Sequence, residues 1–213
     1  MTKASSPVRL RLVGARELPS RPGRSSEVRG PSDETLVARA RRREQAAFEA
    51  LYRRHAAFAL NLAVHIQGTT ADVEDIVHDA FVRAHERLAE LRDTSAFRSW
   101  LGSIVVRLVR TRLRRRRLLA VLGIAGHEPV DLEAVAAPEA DPETRALLAQ
   151  VYALLQTMPA DDRIAWTLRY VERHGLDNVA TLTGCSLATA KRRIQRAQSY
   201  LAQRFVAPYA EAL

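Results

Sequence analysis

Apolar residues recur along this chain at helical spacing, and the breaks between the stripes fall on turn-forming residues. Ser32 sits where a helix N-cap belongs, ahead of Leu36, Val37, Ala40, Phe48, Leu51, Tyr52, Phe58 and Leu62, a stripe of roughly 3.6-residue period. Gly68, Thr69 and Thr70 interrupt it. A second stripe then places Val73, Ile76, Val77, Ala80, Phe81, Ala84, Leu88 and Leu91 on one face. Asp93, Thr94 and Ser95 predict a short turn before a helix that starts at Phe97 and runs into an arginine block ending at Arg117. Further on, Asp141 and Pro142 form a cap with proline at the first helical position, followed by Leu147, Leu148, Val151, Leu154, Leu155 and Met158. Pro159 and Asp161 open another helix, with Ile164, Leu168 and Val171 inward. Asp177 is the expected cap of a short helix containing Val179, Ala180 and Leu182. Thr183, Gly184 and Cys185 turn the chain, Ser186 caps again, and Leu187, Ala190, Ile194, Ala197 and Leu201 make the last buried stripe. No segment alternates with period two, so the chain is expected to be all-α.

Proline and glycine divide these helices into two groups. No proline occurs between Ser32 and Glu128, and an interior proline would cost a helix roughly 3 kcal/mol. Only Gly102 falls inside a predicted helix. The expected organisation is a disordered basic arm over 1–31, a helical domain over 32–117, a flexible acidic linker over 118–143, a helix-turn-helix domain over 144–206, and a tail over 207–213. The fold class is therefore two small helical domains joined by a flexible acidic linker.

Charge sharpens this division. The net charge of +9 is uneven: arginine occupies 110, 112 and every position from 114 to 117, whereas the stretch from Leu118 to Thr144 has six carboxylates and no lysine or arginine. Six arginines within eight helical residues point all around the axis, a density of positive charge suited to a polyphosphate backbone. The last helix adds Lys191, Arg192, Arg193 and Arg196 off its apolar stripe, where a recognition helix would present them to a major groove with Ser186 and Thr189 at its start. The duller reading is a helical hairpin with a solvated basic face.

Other candidates are weighed in the same way. Asp72, Glu74 and Asp75 suit the positive end of a helix dipole, but Asp79 lies beyond the first turn, and an acidic stripe facing a basic partner explains all four. Phe97 and Trp100 are core aromatics or, beside so many arginines, platforms for unpaired bases. His55, His65, His78 and His85 lack metal-site spacing, and the single Cys185 excludes an internal disulfide and a cysteine zinc site, reading instead as a small buried apolar residue. No nucleophile–base pair, phosphate-cradling glycine loop or paired-carboxylate signature is visible, so no catalytic residue, metal or cofactor is expected. With no apolar run of about 18 residues and no apolar signal core, a cytoplasmic protein is expected.

Four segments together resemble the bacterial RNA polymerase sigma factors of the extracytoplasmic-function class, which keep only the second and fourth conserved regions. They are AAFEALYRRH (46–55), DVEDIVHDAFVRAHERL (72–88), SAFRSWLGSIVVRLVRTRLRRRR (95–117) and the stretch from Leu154 to Leu201. The resemblance implies that Asp72, Glu74, Asp75 and Asp79 dock on the clamp helices of the polymerase's largest subunit. It implies that Phe97, Trp100, Arg107, Arg110, Arg114 and Arg115 engage the −10 element, and Ser186, Thr189, Lys191, Arg192, Arg193 and Arg196 the −35 element of promoter DNA. The acidic linker would thread the RNA-exit path, and an anti-sigma factor is a further possible partner. The chain departs from the pattern at Arg107, where the family often carries asparagine, at Arg110 and Thr111, where it often carries an aspartate, and at His174–Asn178, where it tends to be more acidic. The competing reading is a polymerase-independent helix-turn-helix regulator, and a weaker one is a homologue that binds polymerase as an inhibitor or scaffold.

Overall fold

The computed structural model describes residues 30–124 and 129–205. The basic arm, apart from Gly30 and Pro31, and the C-terminal tail lie outside the described residues. The elements are helices α1 (Asp33–Arg41), α2 (Gln45–Gln67), α3 (Val73–Glu86), α4 (Phe97–Val121), α5 (Leu132–Val135), α6 (Pro142–Thr157), α7 (Ala160–Tyr170), α8 (Leu176–Thr183) and α9 (Leu187–Arg204). Among the described residues there is no strand.

Several predicted caps are in place. Ser32, Asp141 and Ser186 accept hydrogen bonds from the backbone N–H groups of Thr35, Thr144 and Thr189, each filling one of the unpaired donors of a helix start. Other expectations are corrected. The first long helix is two helices, because Arg43 turns into the left-handed region at φ 64° and Arg39 and Arg42 close on Glu44 at 2.7 and 3.5 Å. Asp177 is not a cap: α8 begins two residues earlier than expected, at Leu176 behind Gly175, leaving Asp177 in the first turn. Asp72 precedes α3 at φ 58° and makes no capping bond, its carboxylate being turned instead toward α4. Cys185 is half-buried, with its Sγ 3.2 Å from Thr183 Oγ1.

Helices α1 to α4 bury Leu36, Leu51, Leu62, Ile66, Phe81, Phe97, Leu101, Val105 and Val109 together, each fully buried side chain contributing about 1.5–3 kcal/mol. The same apolar core continues into the C-terminal half through Ile164, Leu168, Val179, Leu182 and Ile194. A smaller core of Val151, Tyr152, Leu155, Met158, Trp166, Ala197 and Leu201 lies between α6, α7 and α9. Helix α7 is therefore shared, with Ile164 and Leu168 in the larger core and Trp166 in the smaller.

Two glycines permit this union of the halves. Gly68 ends α2 at φ 64°, which favours glycine, and a Cβ there would stand 2.7 Å from the Tyr152 ring. Gly102 carries the usual helix-interior penalty of about 1 kcal/mol, but a Cβ there would meet Leu182 of α8 at 3.0 Å. The polar counterpart is Arg163. Buried beside Tyr152, it donates from Nε to the Ile66 carbonyl at 2.8 Å and from Nη2 to the Gln67 carbonyl at 2.6 Å. These are carbonyls at the C-terminus of α2, which the helix itself cannot satisfy and where its dipole favours a cation. Burial pushes the Arg163 pKa down to about 10, so the guanidinium remains charged at neutral pH. The Tyr152 hydroxyl donates to the neighbouring His65 carbonyl at 3.1 Å, and His65 Nδ1 contacts the Glu172 carboxylate.

The described part of the acidic linker is anchored. Residues 118–121 extend α4, the Asp131 N–H donates to the Gly68 carbonyl at 2.9 Å, and Thr70 Oγ1 donates to the Asp131 carboxylate at 2.9 Å. Glu133 pairs with Arg145 at the start of α6. Two of the linker's carboxylates are thus used to hold it against its own chain, which composition alone does not reveal.

Candidate nucleic-acid interface

Helix α4 is anchored by its aromatic start and cationic at its end. Phe97 is fully buried, its ring 5.2 Å from His55 and 6.1 Å from Trp100, so in this conformation it is a core anchor rather than an exposed stacking platform. Trp100 is half-buried at the edge of the same core. Burial lowers the His55 pKa despite the Asp33 carboxylate 2.8 Å from its Nε2.

Of the predicted −10 residues, Arg107 and Arg115 are exposed and make no ion pair among the described residues. Arg110 is half-buried: its Nη2 donates to the Thr183 carbonyl at 2.8 Å, and its Nε lies 2.9 Å from Asp161 Oδ1 without the N–H aligned for a hydrogen bond. Burial lowers the Arg110 pKa, and Asp161 partly offsets this. Arg114 donates to Asp161 Oδ2 at 2.8 Å. Arg112 and Arg116 converge on Asp72 Oδ2 at 3.5 and 3.2 Å. Four of the six clustered arginines are therefore held by carboxylates of the same chain, whereas their all-round distribution had suggested mainly external partners.

Gly184, at φ 63°, reverses the chain between α8 and α9, and Ser186 starts α9. Ser186, Lys191 and Arg192 are exposed, and neither cation has an ion-pair partner among the described residues; Thr189 is half-buried beside the cap, its Oγ1 2.9 Å from Ser186 Oγ. Arg193 donates to Asp161 Oδ2 at 3.2 Å. Arg196 forms a two-pronged pair with Asp162, at 3.0 Å from Nε and 2.6 Å from Nη2, and its pKa is raised by that contact. The structure thus separates the four predicted cations into a free pair at the helix start and a paired set behind it.

On α3, Glu74, Asp75 and Asp79 are exposed and without ion-pair partners among the described residues, whereas Asp72 is engaged by Arg112 and Arg116. The exposed α3 carboxylates and the exposed α9 cations lie on different helices. Sequence reasoning missed Asp161, Asp162 and Arg163. Two aspartates in the first turn of a helix have an ordinary dipole explanation, and an arginine between Asp162 and Ile164 gives no sign of what it will meet.

Comparison with known proteins agrees with this layout. Residues 51–118 match the family described as Sigma-70 region 2, and residues 148–199 match Sigma-70, region 4. The chain is 30% identical over 184 residues to the RNA polymerase sigma-H factor of Pseudomonas aeruginosa, covering 78% of this chain and 90% of that one. It is 29% identical over 174 residues to the ECF RNA polymerase sigma-E factor of Escherichia coli K12, covering 78% and 91%. Among solved structures, CnrH in complex with the cytosolic domain of CnrY aligns with a TM-score of 0.54 at 25% identity, over 81% of this chain and 96% of that one. The Bartonella quintana sigma factor RpoE, in complex with the anti-sigma factor NepR, shares the fold with a TM-score of 0.56 at 21% identity, over 73% and 94%. Among the described residues no helix is long and apolar enough to cross a membrane. The chain belongs to the extracytoplasmic-function class of RNA polymerase sigma factors, the subunits that direct core polymerase to promoters and start transcription there.

Proposed function

We propose how this sigma factor divides its tasks among its residues. The domain of residues 32–117 docks core polymerase through the exposed carboxylates Glu74, Asp75 and Asp79 of α3, with Asp72 released from α4 to join them. The C-terminal part of α4 meets the −10 region through Arg107 and Arg115, and through Arg110 and Arg114 once these leave Asp161. Phe97 and Trp100 shape the start of that helix from within the core. The domain of residues 144–206 reads the −35 element with α9. The observation that carries this assignment is the exposure of Lys191 and Arg192, unpaired, directly behind the Ser186 cap, where a recognition helix presents its first residues to base edges. Arg193 and Arg196 lie farther along and serve phosphates. The acidic linker accompanies the polymerase's basic RNA-exit path. The protein has no catalytic activity of its own, acts in the cytoplasm, and presents the same helical surfaces to an anti-sigma factor where one is made.

Binding titrations separate the two kinds of α9 contact. Lys191→Ala or Arg192→Ala should cost on the order of 1–3 kcal/mol on the preferred −35 site and flatten the preference among site variants. Arg196→Ala should weaken binding similarly on every sequence, with a change in salt slope of less than about one unit, because its charge is already matched by Asp162. A −35 library titrated at several salt concentrations provides the measurement. Unchanged affinity and preference in all three variants would reduce α9 to a solvated basic face.

A further inference from the structure

Asp161 stands at the meeting point of the two DNA-directed helices. Its carboxylate is contacted by Arg110 at 2.9 Å and Arg114 at 2.8 Å from α4, and by Arg193 at 3.2 Å from α9. Beside it, Asp162 is only 4% exposed and holds Arg196 with both oxygens. Both aspartates belong to the first turn of α7, the helix shared by the two cores. Arg110 adds a bond to the Thr183 carbonyl at 2.8 Å, at the end of α8, and Gly102 admits Leu182 close by. Three guanidinium groups around one carboxylate leave an excess of positive charge. A phosphate, with more acceptor oxygens, would relieve that excess where one carboxylate does not.

We propose that Asp161, assisted by Asp162, is a carboxylate clasp that occupies the arginines of α4 and α9 in place of DNA phosphate and holds the two DNA-binding elements together until DNA displaces it. The proposal rests on the reading of α4 and α9 as DNA contacts. Its physical consequence concerns counterions. Asp161 cancels one of the positive charges that this cluster offers to phosphate, so the cluster displaces fewer of the cations condensed on the DNA. An arginine without its aspartate contributes about 0.9 to the slope of log affinity against log salt. The clasp therefore both lowers the affinity of the free protein for DNA and makes that affinity less sensitive to salt.

The test uses the full chain and a mixed-sequence duplex of about 20 base pairs, titrated between about 50 and 200 mM salt. Asp161→Asn keeps the shape and removes the charge. Glu86→Gln, on the exposed end of α3, makes the same change in net charge away from the clasp. Asp161→Glu keeps a carboxylate at the site. Relative to Glu86→Gln, Asp161→Asn should bind the duplex about tenfold more tightly at low salt, with a slope steeper by about one unit, the single charge that the substitution removes from the arginine cluster. Asp161→Glu should stay near the wild type. Circular dichroism should show unchanged helicity in every variant. If Asp161→Asn and Glu86→Gln share the same slope and affinity, the clasp is wrong and the DNA-contact reading stands. If none of the proteins, wild type included, binds the duplex, the DNA-contact reading itself fails and the clasp with it.

Discussion

Replacing Asp75 and Asp79 together with lysine is expected to weaken binding to core RNA polymerase by roughly 3 kcal/mol, about a hundredfold, while leaving helix content unchanged. Both carboxylates are exposed on α3 and neither pairs with a cation among the described residues, so their charge is available to a partner. Reversing it turns attraction to a basic surface into repulsion, and like charges brought together at an interface cost several kcal/mol. The apolar side of α3, with Val73, Ile76, Val77, Ala80 and Phe81 buried, is untouched by the substitutions. Asp72→Lys should behave differently, because Asp72 is bound to Arg112 and Arg116 and its loss disturbs α4 as well. The measurement is a core-polymerase titration of each variant, with far-ultraviolet circular dichroism as the control. Wild-type affinity for the double variant would remove α3 as the docking element.

The largest effect on stability is expected at Arg163. In Arg163→Ala, the Ile66 and Gln67 carbonyls lose their donors in a site closed to water, and each such loss costs about 1–3 kcal/mol. Relief from burying the guanidinium offsets part of this, so the net destabilisation should be about 3 kcal/mol. For a chain of this size, that is a fall in melting temperature of roughly 6–12 °C. Arg163→Lys keeps the charge but loses the planar fork, and should lie between the two. Tyr152→Phe, which removes one hydrogen bond to the His65 carbonyl, should cost only about 1 kcal/mol. A melting temperature for Arg163→Ala equal to that of the wild type would mean that the two halves are not held together through the end of α2.

Most of the helical framework was legible in the sequence because it rests on local chemistry. The caps Ser32, Asp141 and Ser186, the glycine turn at 184 and the apolar stripes act within a few residues of themselves, and the structure keeps them. The division of the first helix at Arg43 was not legible, since no glycine or proline marks it: Arg43 takes a φ of 64° although it carries a side chain, and Arg39 and Arg42 close on Glu44 around it. Gly102 was visible as an anomaly, and its cause lies in α8, eighty residues on.

The candidate site followed the same rule. Which helices carry charge could be read from spacing, but which charges remain free could not. Asp161 and Asp162 satisfy a helix dipole and also four distant arginines, and only the fold distinguishes Lys191 and Arg192 from Arg193 and Arg196. Phe97 shows the opposite case. An aromatic at the head of a basic helix suits either a core or a base stack, and the packing around it gives it to the core in this conformation.

On the proposed division of tasks, the exposed carboxylates of α3 and the free cations at the start of α9 act in one initiation event, the first recruiting polymerase and the second choosing the promoter. Run-off transcription on genomic fragments with core polymerase tests it most directly, comparing the wild type, the Asp75→Lys/Asp79→Lys variant and the Lys191→Ala/Arg192→Ala variant. The expected result is discrete transcripts with the wild type, none above the core-only background with the α3 variant, and with the α9 variant weaker transcripts whose start sites are less selectively chosen. Transcripts of equal strength and identical start sites from all three proteins would contradict the account.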